Sequence, residues 1–276
     1  MIDIDAYFAR IGYDGARTAN LDTLRALHRL QPQAITFENL DPLLRRPVRL
    51  DAASLQAKML KGGRGGYCYE QNLLFAHVLR ALGFNVTEHA ARVLWNVPVG
   101  IHTPRVHMLL RVDLDGQSYL TDVGFGGNVL PAPLLLDSTQ EQTTPHEPFR
   151  VGKDGEFYLL EAKLRSEWQK LYRFDLSEQL MPDHEQGNWF VSTRTDSIFV
   201  NGLIAARAEP DRRYALGNNQ LSVHHPNGKT EKRALATAAE LRDALTELFK
   251  LRLAGLDGLD ETLARLADGA AEAIRP

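Results

Sequence analysis

At 276 residues, with 44% hydrophobic and 24% charged side chains, the chain holds enough apolar material for real cores and a length typical of about two domains. A formal net charge of −3 lies too near neutral for a nucleic-acid-binding surface or a basic membrane patch, and no apolar run reaches the length of a membrane span. The single cysteine excludes an intramolecular disulfide, and the acidic start Met1-Ile2-Asp3-Ile4-Asp5 lacks the basic and apolar regions of a signal peptide. The expectation is a cytoplasmic protein with no nucleic-acid or membrane partner.

The first ~85 residues read as mainly helical. Leu21, Leu24, Leu27 and His28 share one face, with Asn20 as N-cap and Pro32 closing the segment. A second helix is expected over 52–60, capped by Asp51. A third begins near Cys68: Leu73, Leu74, Phe75, Val78, Leu79 and Leu82 form its stripe and Gly83 its stop. From about Phe84 the pattern becomes strands. Asp115-Gly116 between the apolar runs 106–114 and 117–123 is a hairpin signal, and Asp154-Gly155 is a second one between 149–151 and 157–160. Residues 168–174 add a strand, and 214–223 and 229–235 two more around Pro226-Asn227-Gly228. Helices over 238–253 and 260–271 close the chain. Short-turn hairpins after a helical start argue for an α+β protein with an antiparallel sheet or barrel.

Cys68 sits at a predicted helix N-terminus, behind Arg64-Gly65-Gly66-Tyr67. Unpaired N–H groups and the positive end of the helix dipole there favour thiolate over thiol. The opposing reading is a small buried hydrophobe, and a lone cysteine becomes a nucleophile only when a base and an orienting group are found. Nine histidines are available, and the hairpin selects one. If Asp115-Gly116 is a two-residue turn, Leu114 pairs with Gln117, His107 falls opposite Gly124, and Asp122 shares a face with His107. A three-residue loop would send Asp122 to the other face. The order Cys68, His107, Asp122 departs from papain-type peptidases. There the histidine follows by about 130–150 residues, whereas here it follows by 39.

Arg64-Gly65-Gly66-Tyr67-Cys68 with Glu70 and Asn72, then His107, then Asp122-Val123-Gly124-Phe125-Gly126, resembles the arylamine N-acetyltransferase family of the prokaryotic type. Phe37-Glu38-Asn39-Leu40, Tyr7 with Arg10-Ile11-Gly12, and Asn188-Trp189 with Ser192-Thr193 extend the resemblance over essentially the whole chain. Two residues depart from the family pattern. Thr36 stands where Pro is common, and Tyr69 stands where Phe is usual, a change expected to alter the pocket lining.

The resemblance implies a helical bundle carrying Cys68 (1–85), a β-barrel carrying His107 and Asp122 (86–190), and a C-terminal α/β lid (191–276). The catalytic core would be of the cysteine-protease or transglutaminase type. The implied reaction moves an acetyl group from acetyl-CoA, as co-substrate, to small aromatic amines, hydrazines or hydrazides through an acetyl-Cys intermediate. Phe125 and Phe37 would contact the acceptor, and Gly126 and Gly127 would admit CoA close to backbone N–H groups. Core packing is the competing reading for both phenylalanines, a strand end or bulge for the glycine pair. The Cys68 N–H is the candidate oxyanion donor. Arg64 and Glu38 are expected to form a structural ion pair. His224-His225 has no partner at metal-ligand spacing, so neither a metal nor a tightly bound prosthetic group is expected. A cysteine hydrolase or an amide synthase would use the same three residues and stays open as an alternative.

Overall fold

In the computed structural model, which describes residues 2–269, two capped helices begin the chain. α1 (Ile4–Ile11) starts where the Asp3 carboxylate accepts the Ala6 N–H and stops at Gly12. α2 (Leu21–Ala34) is capped by Asn20, as expected, but runs past Pro32. That ring is buried in the last turn, where its missing N–H costs a single ladder bond. β1 (Phe37–Glu38) and α3 (Leu40–Leu43) lead to α4 (Ala52–Leu55), capped by Asp51. The helix continues through Gln56–Lys61 as a wide π-helical turn, from which Lys58 reaches both Asp41 and Glu70. α5 (Cys68–Ala81) follows and ends ahead of Gly83, whose φ is 91°.

Seven antiparallel strands come next: β2 (Asn85–Val93), β3 (Arg105–Leu114), β4 (Gln117–Thr121), β5 (Leu134–Leu135), β6 (Phe149–Asp154), β7 (Phe157–Leu164) and β8 (Glu167–Phe174). They form one sheet in the order β5-β4-β3-β2-β8-β7-β6. Its edges nearly meet. Gln142 exchanges backbone bonds with Phe149 of β6, while its side-chain amide bonds both backbone groups of Leu135 in β5. Leu109, Leu120, Leu160, Tyr172 and Phe174 belong to the apolar cluster of this barrel-like sheet. Asp115 and Gly116 both have positive φ (51° and 76°), as a two-residue I′ turn requires, and Leu114 pairs with Gln117. In the second hairpin Asp154 pairs with Phe157, so the turn is Gly155-Glu156 rather than Asp154-Gly155.

α6 (Met181–Thr193) and α7 (Ile198–Asn201) cross to a second sheet of β9 (Ile204–Glu209), β10 (Arg212–Gly217), β11 (Gln220–His224) and β12 (Thr230–Ala234). The strand expected over 214–223 is two strands, because Asn218 takes a left-handed φ of 53° and turns the chain. β1 joins this sheet beside β9 (Phe37↔Ala206), so an N-terminal segment is built into the C-terminal one. α8 (Ala238–Asp243) passes into a π-helical turn, Ala244–Leu248, and ends there, short of 253. Leu251 and Leu253 still bury in the same apolar cluster from non-helical backbone, which explains why periodicity overran the helix. α9 (Leu259–Ala267) is the last expected helix, and positions 270–271 lie outside the described residues. The architecture is α+β. Among the described residues, no helix is long and apolar enough to cross a membrane.

Candidate active site

The start of α5 is set by its own sequence. Tyr67 is extended, and its N–H donates to Glu70 Oε2 at 3.1 Å, a contact that fixes the first turn and puts Cys68 at its first position. The glycines ahead of it are required by close approach: a Cβ on Gly65 would lie 1.8 Å from the Thr36 carbonyl oxygen. Beneath the helix runs a buried charge network. Arg64 Nη2 is 2.8 Å from Glu38 Oε1 and 3.3 Å from Asp41 Oδ1, and Lys58 Nζ is 2.7 Å from Glu70 Oε1. Arg64 and Glu38 thus form the ion pair expected of them, below the cleft rather than in it. Burial pushes the Glu70 carboxyl up to about 7; Lys58 opposes the rise, while Glu38 and Asp41 add to it.

The three residues singled out by sequence converge. Cys68 Sγ lies 3.8 Å from the Val106 carbonyl oxygen, and the sulfur is close enough to the His107 imidazole to favour its charged form. His107 Nε2 is 2.7 Å from Asp122 Oδ2, which leaves Nδ1 as the ring nitrogen for the sulfur. Asp122 is wholly buried and fully engaged. Its Oδ1 accepts from Asn72 Nδ2 at 3.0 Å and from the Gly124 N–H at 2.9 Å, and its own N–H donates to His28 Nε2 at 3.1 Å.

The two-residue turn delivers the shared face of His107 and Asp122, with one correction. The β3–β4 ladder ends at Leu110↔Thr121, so His107 and Gly124 are not a ladder pair. The chain leaves the sheet at Asp122, where Asn72 takes the Val123 N–H at 3.1 Å. Gly124 then packs so closely on α5 that a Cβ would lie 2.9 Å from Cys68 Cα and 2.9 Å from Asn72 Nδ2. Asn72 stands four residues after Cys68, one helical turn along the same face. That spacing was the available signal for its position; its partners were not.

Electrostatics complete the arrangement. Burial alone would strip the proton from His107, but the Asp122 carboxylate, the hydrogen bond to it and the nearby Cys68 sulfur outweigh it and raise its pKa to about 10. Burial would raise the Asp122 carboxyl, yet His107, Asn72 and the Gly124 N–H hold it below the usual carboxylate range. An imidazolium between a carboxylate and a sulfur is the consistent protonation state at neutral pH.

Cys68 and His107 open onto a cleft of about 710 Å³. Phe37, Phe125, Gly126 and Gly127 line it too, and Asp122 sits behind. Phe125 stands edge-on to His107 at 5.1 Å between ring centroids, and Tyr172 backs both rings. Gly126 has a φ of 75°, and a Cβ there would lie 3.5 Å from the Phe37 ring. The buried Arg213 guanidinium bonds Gly127 O, Asn128 Oδ1 and Glu147, clamping the glycine turn to the second sheet. The remaining wall was not legible in sequence: Trp95 and Val97 from the segment after β2, Phe190 and Phe199 from α6 and α7, and Ile204 and Leu216 from the second sheet. Tyr69 is not in the cleft. It packs beneath α6, where a Cβ on Gly187 would meet its hydroxyl at 2.0 Å, so its effect on the pocket lining was misjudged. Thr36 is buried and donates to the Phe249 carbonyl, a bond that Pro at this place would not make. His224 Nδ1 bonds Thr230 Oγ1 at 3.0 Å, and His225 lies 3.5 Å from Glu231, both on the surface hairpin.

Comparison with known proteins accords with this architecture. A family model described as N-acetyltransferase matches residues 20–257. The arylamine N-acetyltransferase of Mycolicibacterium smegmatis is 41% identical over 272 residues, covering 97% of this chain and 98% of that protein. The arylamine N-acetyltransferase of Escherichia coli is 42% identical over 249 residues, 90% of this chain and 88% of its own. The solved structure of the Mycobacterium marinum arylamine N-acetyltransferase in complex with CoA superposes with a TM-score of 0.93 at 40% identity, covering 98% of this chain and 100% of that one. The chain belongs to the arylamine N-acetyltransferase family.

Proposed function

We propose that this enzyme transfers an acetyl group from acetyl-CoA to aromatic amines, hydrazines or hydrazides in two half-reactions through a thioester on Cys68. The observation that carries the reading is a single imidazole, His107. It is bonded to the buried Asp122 on one edge and shares the lining of an apolar cleft with Cys68, whose sulfur favours its charged form. The relative from Mycobacterium marinum has been solved with CoA, which supports the donor.

In the first half-reaction, with the Cys68 proton on His107, the sulfur attacks the acetyl carbonyl carbon. The Cys68 N–H, at the start of α5 with no intrahelical acceptor, supports the oxyanion. Collapse breaks the bond to the CoA sulfur, which leaves with the proton from His107. One thioester replaces another, so the step runs at little thermodynamic cost, and His107 is left neutral. In the second half-reaction the amine lone pair attacks the acetyl-Cys carbonyl. His107 takes the amine proton, and collapse returns the Cys68 thiolate beside an imidazolium. Aromatic amines are neutral near pH 7, so no prior deprotonation is needed. Asp122 keeps the ring in one tautomer and stabilises its charge.

Phe125 and Phe37 form the aromatic wall for the acceptor, and the Gly126-Gly127 turn lets CoA approach the backbone. We assign 1–85 to the helical bundle bearing the nucleophile, 86–190 to the barrel bearing its partners, and 191–276 to the lid. A nucleophile at a helix start facing a histidine on an antiparallel sheet and a carboxylate just past the end of the neighbouring strand is the cysteine-protease or transglutaminase type of core. A single thiol that must stay reduced suits the cytoplasm.

The test is intact mass spectrometry with acetyl-CoA and no acceptor. One acetyl group should be added, be absent in Cys68→Ala, and discharge onto an added arylamine. A chain that forms no adduct but alkylates readily would point to another acyl donor, as in an amide synthase or hydrolase, and would end the acetyl-transfer reading.

A further inference from the structure

His28 has no part in the chemistry above, yet it touches the centre of it. It lies on α2, wholly buried, with its ring edge-on to Phe75 at 5.8 Å between centroids. Its Nε2 accepts the Asp122 N–H at 3.1 Å, and its Nδ1 is buried without a hydrogen-bond partner. A ring nitrogen that accepts carries no proton, so the proton resides on Nδ1. Asp122 is therefore held by two imidazoles, His107 at the carboxylate and His28 at the peptide.

The two rings sit in opposite electrostatic regimes. Burial pushes the His28 pKa down to about 4, with Asp122 pulling it up only in part, whereas His107 is raised to about 10. At neutral pH one imidazole is uncharged and the other charged, set apart by environment alone. The location gives this division its purpose. Asp122 is the first residue beyond the β3–β4 ladder, so no strand partner fixes its peptide plane. Its carboxylate carbon lies two bonds beyond the Cα of that plane, and its direction sets where His107 presents Nδ1 to Cys68. A second cation at His28 would draw on the same carboxylate charge that holds the His107 proton.

We propose that His28 is a positioning residue for acetyl transfer: as a neutral Nδ1–H imidazole it fixes the Asp122 peptide and, through it, the His107–Cys68 pair. The proposal rests on the roles assigned above to Cys68, His107 and Asp122. It adds a contribution from α2, an element outside both motifs that mark those residues.

The experiment compares single-turnover acetylation of Cys68 by acetyl-CoA, over a range of pH, in the wild type, His28→Phe and His28→Gln. Phe keeps the ring against Phe75 but cannot accept. The rate should fall by roughly 10- to 100-fold, as expected for a small misplacement of reacting groups, with its pH profile displaced. Gln carries an acceptor oxygen of similar reach and should restore the rate to within about three-fold of wild type. In ¹⁵N-histidine-labelled wild-type protein, His28 should show an unprotonated Nε2 and a protonated Nδ1 at neutral pH. A folded Phe variant with wild-type rate and profile overturns the proposal. So does a folded Gln variant as slow as Phe, or a wild-type His28 with its proton on Nε2. Should the Phe variant not fold, the Gln rate and the wild-type tautomer decide. A wild type that never acetylates Cys68 would instead refute the triad reading and leave the His28 tautomer as a separate result.

Discussion

The two sides of the cleft are built by different physics. On the side of α5 and the barrel, position is set by directional bonds. Both Asp122 oxygens and its N–H have partners, Asn72 bonds β3 and the Asp122 segment together, and Gly124 touches the backbone of Cys68. On the far side, Phe190, Phe199, Ile204 and Leu216 present apolar surface contributed by α6, α7 and the second sheet. Hydrogen bonds to buried groups are costly to lose and tolerate little displacement. Apolar walls accept changes of shape in small increments. The first side should therefore govern the rate of acyl transfer, and the second which acceptor is taken.

The comparison can be broken most sharply at Asp122. Asp122→Asn should leave a folded chain with kcat reduced by about 10³- to 10⁴-fold, because the ring loses both its tautomer and its counter-charge. The same variant tests the ion pair through stability. His107 is raised from 6.5 to about 10 in the folded state, so its contribution is complete below 6.5 and is lost as pH rises through about 10. The difference in Tm between wild type and Asn variant should shrink across that window; a constant difference would show that charge is not involved. Gly124→Ala comes next. Its Cβ would stand 2.9 Å from Cys68 Cα, so α5 and the Asp122 segment must separate. Turnover should drop by roughly 100-fold, with Tm lower by about 3–10 °C. Wild-type activity there would mean that the junction is loose. The smallest effect belongs to the apolar side. Phe37→Leu should raise KM for a bulky aromatic amine by about three- to ten-fold and leave acetylation of Cys68 unchanged. An equal loss in both half-reactions would erase the distinction between the two sides.

The same division explains what could be read from sequence. Cys68 announced itself through the glycines before it and the stripe after it, because a helix start is a local matter. His107 and Asp122 were reachable because one turn, Asp115-Gly116, fixes the register of a hairpin that carries both. The Arg64–Glu38 pair followed from two motifs of opposite charge. Where local pattern and tertiary packing disagree, the reading failed. Pro32 did not end α2, Asn218 broke an expected strand, and Leu251 and Leu253 buried themselves without a helix. Trp95, Phe199 and Leu216 meet in the cleft from segments far apart in sequence, with no spacing rule to join them. Tyr69 was misplaced for a related reason: on α5 it adjoins Cys68 in sequence but faces α6. His28 looked like one more residue on an apolar helix face until its contact with Asp122 was seen.

The most direct measurement of the central claim is the rate at which Cys68 is alkylated by iodoacetamide at neutral pH in wild type and in His107→Gln. If the imidazole holds the thiol proton, the wild type should react rapidly and the variant at least about 100-fold more slowly, with fold and Tm retained. Equal rate constants in the two folded proteins would show that His107 does not activate the sulfur and would contradict the account.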